Sequence, residues 1–301
     1  MTRSKRVRID GVLLLDKPGG MSSNAALQKA RWLFNAAKAG HTGTLDPMAT
    51  GLLPLCFGEA TKFSGELLGA DKRYEATLRL GVVTDTADAE GAVLQRRDVA
   101  VSREQVEGAL ARFRGEIDQV PPMHSALKRD GRPLYEYARK GIELERAPRR
   151  VTIHVLEFVR LEGDGLDIVV NCSKGTYVRT LAQDIGEALG CGAHLTALRR
   201  TRIGGLRLAD AVTLGALEAL PPETRHSLLQ PADALLADLP RLDLDAAAAR
   251  CLSHGQAIRA GHGLDGRLRL YGPDGGFLGL GQASEEGRVA PLRMIATCLE
   301  K

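Results

Sequence analysis

Apolar runs and alternating positions along the chain predict a mixture of strands and helices. Residues 11–15, GVLLL, form an uninterrupted apolar run that predicts a buried strand, and the turn residues of DKPGG end it. Residues 22–24 supply N-cap candidates for a helix in which apolar residues recur at three-to-four spacing from Leu27 to Phe34. The chain is therefore predicted to open with a strand, a loop and a helix.

The middle of the chain continues to mix the two patterns. RYEATLRLG, residues 73–81, alternates apolar and polar positions and places Tyr74 at the start of its buried face. Ser102 and Gln105 form a capping-box pattern before another helix. VTIHVLEFVRL and LDIVVNCSKG then predict two strands joined at EGDG, followed by a helix that ends at Gly190. Hairpins and crossovers together predict an α+β fold, with a mixed, largely antiparallel sheet flanked by helices.

The composition changes near residue 240, after a helical stretch that several prolines interrupt. Beyond it, GRLRLYGPDGGFLGLGQ predicts a hairpin, and GRVAPLRMIAT predicts one more short strand. We therefore expect a first domain over residues 1–240 and a small β-rich domain over 241–301. A domain of about 60 residues is marginally stable alone, so we expect it to dock on the first.

Composition and motif spacing argue against several classes of protein. The 301 residues are 44% hydrophobic and 26% charged, which is typical of globular proteins. The N-terminal apolar run is too short for a signal peptide or membrane span, so we expect a cytoplasmic protein. Five scattered cysteines without a CxxC pair indicate neither a disulfide framework nor a zinc site. KPGGMSSN lacks the spacing of a nucleotide-binding loop, and VTDTADAEG predicts a polar turn rather than a calcium loop.

The positive charge of the chain is concentrated in one segment. Residues 124–150 hold eight Lys or Arg against four acids, and this excess of four equals the net charge of +4 of the whole chain. Tyr135 and Tyr137 lie among these charges, a mixture that suits contact with phosphates and stacked bases. A solvated amphipathic helix explains the same composition equally well.

One acid, Asp46, lies in the stretch GHTGTLDPMATGLLPLCFGEATK, residues 40–62, with no other acid before Glu59. Asp-Pro is common at helix caps and turns, and ATGLL could begin a helix, so capping is the simpler interpretation. The small glycines and threonines around it instead suggest a loop shaped around a ligand. A carboxylate there could act as a nucleophile or base if a cation kept it ionised, but the loop offers no such cation.

Five ordered motifs decide between these interpretations. The Asp46 stretch, preceded by LLLDKPGGMSSNAALQKAR and followed by KRYEATLRLG, VPPMHSALKRDGRPLYEYARKG, SKGTYVRTLAQDIG and HLTALRRTRIGG, resembles the bacterial tRNA pseudouridine-55 synthases of the TruB family. The resemblance covers roughly residues 10–210, and the remainder is a weaker match to the PUA-like domain of such enzymes. It implies a pseudouridine synthase-like fold and isomerisation of uridine 55 in the tRNA T loop, without metal or other cofactor.

The resemblance also assigns roles to individual residues. Asp46 matches the catalytic nucleophile, Arg179 the arginine that pairs with it, and Tyr74 the tyrosine that stacks on the flipped base. The resemblance further implies substrate contacts or support of the site at four more positions: His41, Tyr177, Leu198 and Lys17. Because the target base is stacked inside a folded loop, the enzyme must extrude it before reaction.

The basic segment is expected to grip the T arm, and the C-terminal domain to touch the acceptor stem. The expected RNA contacts are Lys128, Arg129, Arg132, Arg139, Lys140, Arg146, Arg149, Arg150, Arg199, Arg200 and Arg202. We expect a monomer that needs no protein partner. A tRNA-binding folding factor without essential catalysis is the alternative, although a paired carboxylate in an RNA-facing cleft has no use in a pure binder.

Overall fold

The computed structural model describes residues 5–261 and 263–296. Two sheets dominate this part of the chain, one of ten strands and one of five, and two short hairpins accompany them. Thr297, which ends the last predicted strand motif, and Cys298 lie outside the described residues. In the described residues, no helix is long and apolar enough to cross a membrane.

The elements before residue 240 build the ten-stranded sheet, its helices and the two hairpins. The strands are β1 Gly11–Lys17, β2 Ala39–His41, β3 Thr50–Phe57, β4 Lys72–Leu80, β5 Val82–Thr84, β6 Val93–Arg96, β7 Gly115–Gln119, β8 Lys128–Arg129, β9 Arg132–Pro133, β10 Arg149–Glu162, β11 Gly165–Cys172, β12 Ala193–Ile203, β13 Leu206–Arg207 and β14 Val212–Thr213. The helices are α1 Ser23–Leu33, α2 Arg103–Ala111, α3 Leu134–Ala138, α4 Val178–Ala188 and α5 Leu214–Ala219.

The large sheet has the strand order β14-β1-β3-β12-β4-β11-β10-β7, with β2 beside β3 and β13 beside β12. Two pairs, β1 with β14 and β12 with β3, are parallel, and the other neighbours are antiparallel. The predicted α+β fold with a largely antiparallel sheet is therefore confirmed. The parallel contact between β12 and β3 spans only two residue pairs, so the sheet is weakly joined at this point.

Strand β1 reads as a continuous apolar run because both of its faces are covered. Leu13 and Leu15 belong to the core that packs under the helices, whereas Val12 and Leu14 belong to a second core on the opposite face. A strand buried on both sides has no need of alternating polar residues. The sequence therefore predicts this strand correctly from its run of apolar residues.

The helix ends follow the predicted capping chemistry. The Ser22 hydroxyl accepts a hydrogen bond from the backbone N–H of Ala25 at the start of α1. Ser102 and Gln105 form a complete capping box before α2. After α4, Gly190 has a φ of +80°, which favours glycine and ends the helix as predicted.

Two local interpretations of the sequence are wrong. The TGLLPLCF run does not begin a helix: it forms β3, which is buried between β1 and β12. Segment 124–150 is not an amphipathic helix, because it contains the β8–β9 hairpin and a helix of only five residues, α3. Gly131 follows Asp130 in that hairpin, and both residues have positive φ, which breaks the helical path.

The five-stranded sheet begins immediately after residue 240. Its order is β15-β17-β18-β19-β16, and the helix α6 Ala246–Ser253 packs beside it. The strands are β15 Arg241–Asp243, β16 Ile258–Arg259, β17 Gly266–Tyr271, β18 Phe277–Ala283 and β19 Arg288–Met294. The predicted hairpin is β17 with β18. This sheet docks on the first unit, since Phe277 packs edge-on against Phe63 and Arg267 forms an ion pair with Glu66.

Candidate active site

The weakly joined part of the large sheet is where the predicted catalytic residues meet. Asp46 lies in the loop between β2 and β3, Tyr74 on β4, Leu198 on β12, and Arg179 in the first turn of α4. They surround a cavity of about 190 Å³. The lining residues are Thr44, Leu45, Asp46, Tyr74, Ser125, Ala126, Thr176, Tyr177, Val178, Arg179 and Leu198. Residues distant in sequence thus form one pocket around Asp46.

The loop that carries Asp46 is anchored on both sides of this residue. The Ser23 hydroxyl donates to the carbonyl of Leu45 at 3.0 Å and accepts from its N–H at 2.8 Å. The Lys17 ammonium group is fully buried and donates to the carbonyls of Met21 at 2.6 Å and Pro47 at 3.3 Å. Burial lowers the pKa of Lys17 to about 8. Lys17 therefore holds the loop through its backbone carbonyls and does not line the cavity.

Asp46 forms an ion pair with Arg179 at the cavity wall. The distance between Asp46 Oδ2 and Arg179 Nε is 2.9 Å, and 38% of the aspartate side chain is exposed, against 5% of the arginine side chain. Burial raises the pKa of Asp46, and the Arg179 charge opposes this rise. The carboxylate is therefore partly desolvated, and the adjacent guanidinium group favours its ionised form.

The remaining nitrogens of Arg179 are also occupied. Its Nη1 lies 3.4 Å from Oδ2 of Asp88 and donates to the carbonyl of Thr86, while its Nη2 donates to the carbonyl of His124 at 2.7 Å. Asp88 is only 3% exposed. The guanidinium group is thereby held between two carboxylates and cannot rotate without losing several hydrogen bonds.

Asp88 is the residue of the site that the sequence interpretation missed. VTDTADAEG does form a turn, as predicted, but the Asp88 side chain points inward, accepts from the Glu90 N–H at 3.1 Å and reaches Arg179. The sequence pattern does not distinguish the buried Asp88 from Asp85 and Glu90, which lie in the same turn and are exposed. Only the need of a buried arginine for a second anion could have indicated it.

Two tyrosines complete the cavity wall. Burial raises the pKa of Tyr74 and of Tyr177, so both phenols are neutral at physiological pH. Tyr177 is the residue before α4, and its backbone is clamped by the Gln119 side chain, which accepts from the N–H at 2.7 Å and donates to the carbonyl at 3.1 Å. This clamp fixes the start of the helix that carries Arg179.

His41 lies on β2, outside the cavity lining, and is partly buried. Its Nδ1 and the hydroxyl of the neighbouring Thr42 are buried and have no hydrogen-bond partner within the described residues. Burial and the Arg200 charge lower the pKa of His41, so the ring is neutral. Of the predicted substrate-site residues, His41 and Lys17 are thus the two that the cavity does not include.

Most of the predicted RNA-contact residues are exposed, with three departures. The exposed ones are Lys128, Arg129, Arg132, Arg139, Lys140, Arg149, Arg150 and Arg202. Arg146 is partly buried, and Arg199 is partly buried and forms a bidentate pair with Asp16 at 2.7 and 3.2 Å. Arg200 is 1% exposed, so its assignment as a phosphate contact is wrong. The strand alternation turns its side chain inward beside Tyr74.

Within residues 5–261 and 263–296, no group of three or more His, Cys, Asp or Glu side chains could hold a metal ion. The cavity lining offers a carboxylate paired with an arginine, two phenols, serine and threonine hydroxyls, and apolar side chains. Such a pocket suits attack by a carboxylate on a flat, uncharged group placed between the tyrosine and leucine side chains.

Comparison with known protein families gives matches along almost the whole chain. Residues 31–178 match the TruB family pseudouridylate synthase N-terminal domain, 179–237 the tRNA pseudouridylate synthase B C-terminal domain, and 240–295 the C-terminal domain of pseudouridine synthase II TruB. The second match places Arg179 and Leu198 in a different family unit from Asp46, although the cavity joins all three.

Individual relatives and solved structures agree with these matches. A tRNA pseudouridine synthase B from Aromatoleum aromaticum is 62% identical over 98% of this chain and 96% of its own length. Another from Chromobacterium violaceum is 58% identical over 98% of this chain and 97% of its own length. A crystal structure of a Cbf5-Nop10-Gar1 complex aligns with a TM-score of 0.71 and 28% identity, over 97% of this chain and 81% of that one.

Proposed function

Since the chain belongs to the TruB family of pseudouridylate synthases, we propose that its cavity isomerises uridine 55 in the T loop of tRNA, with Asp46 as nucleophile. The chain is a tRNA pseudouridine synthase, an isomerase, and tRNA is its substrate. We propose the target position, the extrusion of the base and the roles of the side chains.

The observation that carries the proposal is the Asp46–Arg179 pair at the wall of the cavity. In the reaction the bond from the ribose C1′ to N1 of uracil breaks and a bond from C1′ to C5 forms, while C5 loses a proton to a base or to water and N1 gains one. Reactant and product have the same formula, so the chemistry needs neither an oxidant nor an energy source. An ionised carboxylate that attacks and then leaves supplies the nucleophile for this transfer.

The cavity dimensions support the entry of an extruded base. A volume of about 190 Å³ is several times the ~30 Å³ share of one water molecule, and the pocket walls include the flat ring of Tyr74 and the apolar Leu198. A base stacked on Tyr74 would place its ribose near the Asp46 carboxylate. Extruding the base costs a few kcal/mol of stacking, which contacts outside the cavity must offset.

We propose that segment 124–150 supplies part of these contacts by gripping the T arm. Its exposed lysines and arginines can neutralise phosphates, and Ser125 and Ala126 at its start line the cavity itself. His124 also accepts a hydrogen bond from Arg179 through its carbonyl, which connects the segment directly to the catalytic pair. Binding of the RNA arm and completion of the active site would thereby be coupled.

We further propose that residues 1–240 form the catalytic domain and residues 241–301 a PUA-like domain that contacts the acceptor stem. The five-stranded sheet and its dock through Phe63 and Phe277 support this division. The cavity around Asp46 is lined by described residues of one chain, which supports a monomer that needs no protein partner. Its substrate, tRNA, favours a cytoplasmic location.

The proposal is tested with unmodified tRNA that carries tritium at C5 of its uridines. The expected result is release of one tritium per tRNA and a pseudouridine mapped to position 55. A tRNA with cytidine at position 55 is the matched control and should release none. Release from that control at the normal rate, or a pseudouridine mapped elsewhere, would show that the target position is wrong.

A further inference from the structure

A buried arginine, Arg200, lies beside the cavity without lining it. It stands on β12 opposite Tyr74 of β4, and on its other side opposite Gly51 of β3. Gly51 has a φ of +99°, and a Cβ on it would lie 2.3 Å from the Arg200 carbonyl oxygen, so only glycine permits this approach. The backbone thus places Arg200 on β12, between β4, which carries Tyr74, and β3, which follows the Asp46 loop.

The guanidinium group of Arg200 connects two parts of the site. Its Nε donates to the carbonyl of Leu52 at 2.8 Å, and its Nη2 donates to the carbonyl of Gly43 at 2.9 Å. Tyr74 stands directly opposite Arg200 on the neighbouring strand, so the two side chains lie on the same face of the sheet. Gly43 lies in the loop that carries Asp46, so one rigid planar group joins that loop to β3 beside Tyr74.

A buried arginine lowers the stability of the fold unless its contacts offset the lost hydration of its charge. An arginine stays charged at all ordinary pH values, and removing a charge from water costs several kcal/mol. No carboxylate of the described residues forms an ion pair with Arg200, and its guanidinium group donates to two backbone carbonyls. A buried apolar side chain would fill the same space at lower cost, so packing alone does not explain a cation here.

We propose that Arg200 is a positioning residue, which fixes the Tyr74 side chain and the Asp46 loop relative to each other and so sets the gap that the reacting nucleotide enters. This inference rests on the proposed function of the same cavity. Arg200 touches neither the cavity nor the substrate, and it acts through Tyr74 and Gly43.

The charge of Arg200 also acts on the Tyr74 phenol. Burial raises the pKa of Tyr74 and the Arg200 charge opposes the rise. Loss of Arg200 would therefore disturb both the orientation of the phenol and its acidity, while leaving the RNA-binding surface unchanged.

A second buried arginine provides a matched control. Arg225 is 8% exposed and donates to the backbone carbonyls of Leu33, Leu217 and Glu218, none of which lines the cavity. It shares the burial and the carbonyl partners of Arg200 but has no contact with Tyr74 or the Asp46 loop. If Arg200 served only stability, the two arginines would respond alike to the same substitution.

The test compares Arg200→Lys, Arg225→Lys, Tyr74→Phe and the double variant Arg200→Lys/Tyr74→Phe. Melting temperature, tRNA affinity and single-turnover tritium release are measured for each. Arg200→Lys and Tyr74→Phe should each lower the single-turnover rate at least about tenfold, with tRNA affinity within about threefold of wild type. The double variant should be no slower than the slower single variant, and Arg225→Lys should lower only the melting temperature.

Three outcomes would overturn the proposal: additive losses in the double variant, an unchanged rate in Tyr74→Phe, or rate losses in Arg200→Lys and Arg225→Lys that both follow the folded fraction. If Arg200→Lys does not fold, Arg200→Gln is measured in the same way, and a wild-type rate in it overturns the proposal. Failure of the proposed function is distinguishable, because wild-type enzyme would then release no tritium from position 55.

Discussion

Substitution of Asp88 by asparagine probes how the catalytic pair is held. Asp88 is 3% exposed and contacts Nη1 of Arg179 at 3.4 Å, so the substitution removes a buried charge next to Arg179 without changing the volume. We take this buried ion pair to be worth about as much as a hydrogen bond to a charged group, about 1.5–3 kcal/mol net. If this free energy no longer holds Arg179 in place beside Asp46 during the reaction, the turnover rate should fall about 10- to 100-fold.

The assay is steady-state tritium release from labelled tRNA, with kcat and KM determined separately. Because Asp88 is buried and does not reach the RNA surface, KM should stay within about twofold of wild type. Asp85→Asn is the matched control in the same turn: Asp85 is exposed and, among the described residues, its side chain accepts from the Ala92 N–H alone, so the rate should not change. An Asp88→Asn enzyme with wild-type kcat, or with a loss confined to KM, would refute this reasoning.

Two further predictions concern the RNA surface and pH. Replacing the exposed Arg149 and Arg150 by glutamine should lower the salt slope of log Kd by about 1.5, whereas Arg160→Gln at the far end of β10 should not; an unchanged slope would remove these arginines from the interface. Burial raises the pKa of Asp184 to about 6, so folding takes up a proton between about pH 4 and 6 and stability falls as pH rises through this range. Asp184→Asn should therefore stabilise the fold by about 1–2 kcal/mol at pH 8, after allowance for solvent screening, and give no gain at pH 4. Thermal melts at both values check this, and an equal effect at both would contradict it.

Local patterns predict the elements well where one interaction decides them. The capping box at Ser102, the stop at Gly190 and the apolar run of β1 depend on neighbours within a few residues, and each is found as predicted. The TGLLPLCF run is ambiguous, because a short apolar segment fits a buried helix or a strand equally. Pairing with β1 decides it, and that pairing is a long-range contact.

The residues of the site also differ in how well the sequence predicts them. The motif resemblance predicts that Asp46 and Arg179 pair, and their distance is 2.9 Å. The sequence predicts a polar turn around Asp88 and an RNA contact for Arg200, both at the surface, where charged side chains usually lie. Both are buried by partners distant in sequence, and a single sequence does not show those partners. Arg200 does offer one signal, since it lies two positions after the buried Leu198 and therefore on the same face of its strand.

The central claim is that Asp46 is the nucleophile of a tRNA pseudouridine synthase. The most direct measurement is single-turnover tritium release from labelled tRNA by Asp46→Asn, with tRNA affinity measured in parallel. The account predicts no detectable release and an affinity within about tenfold of wild type, a difference of about 1.4 kcal/mol. Release by Asp46→Asn at a rate near that of wild type would contradict it.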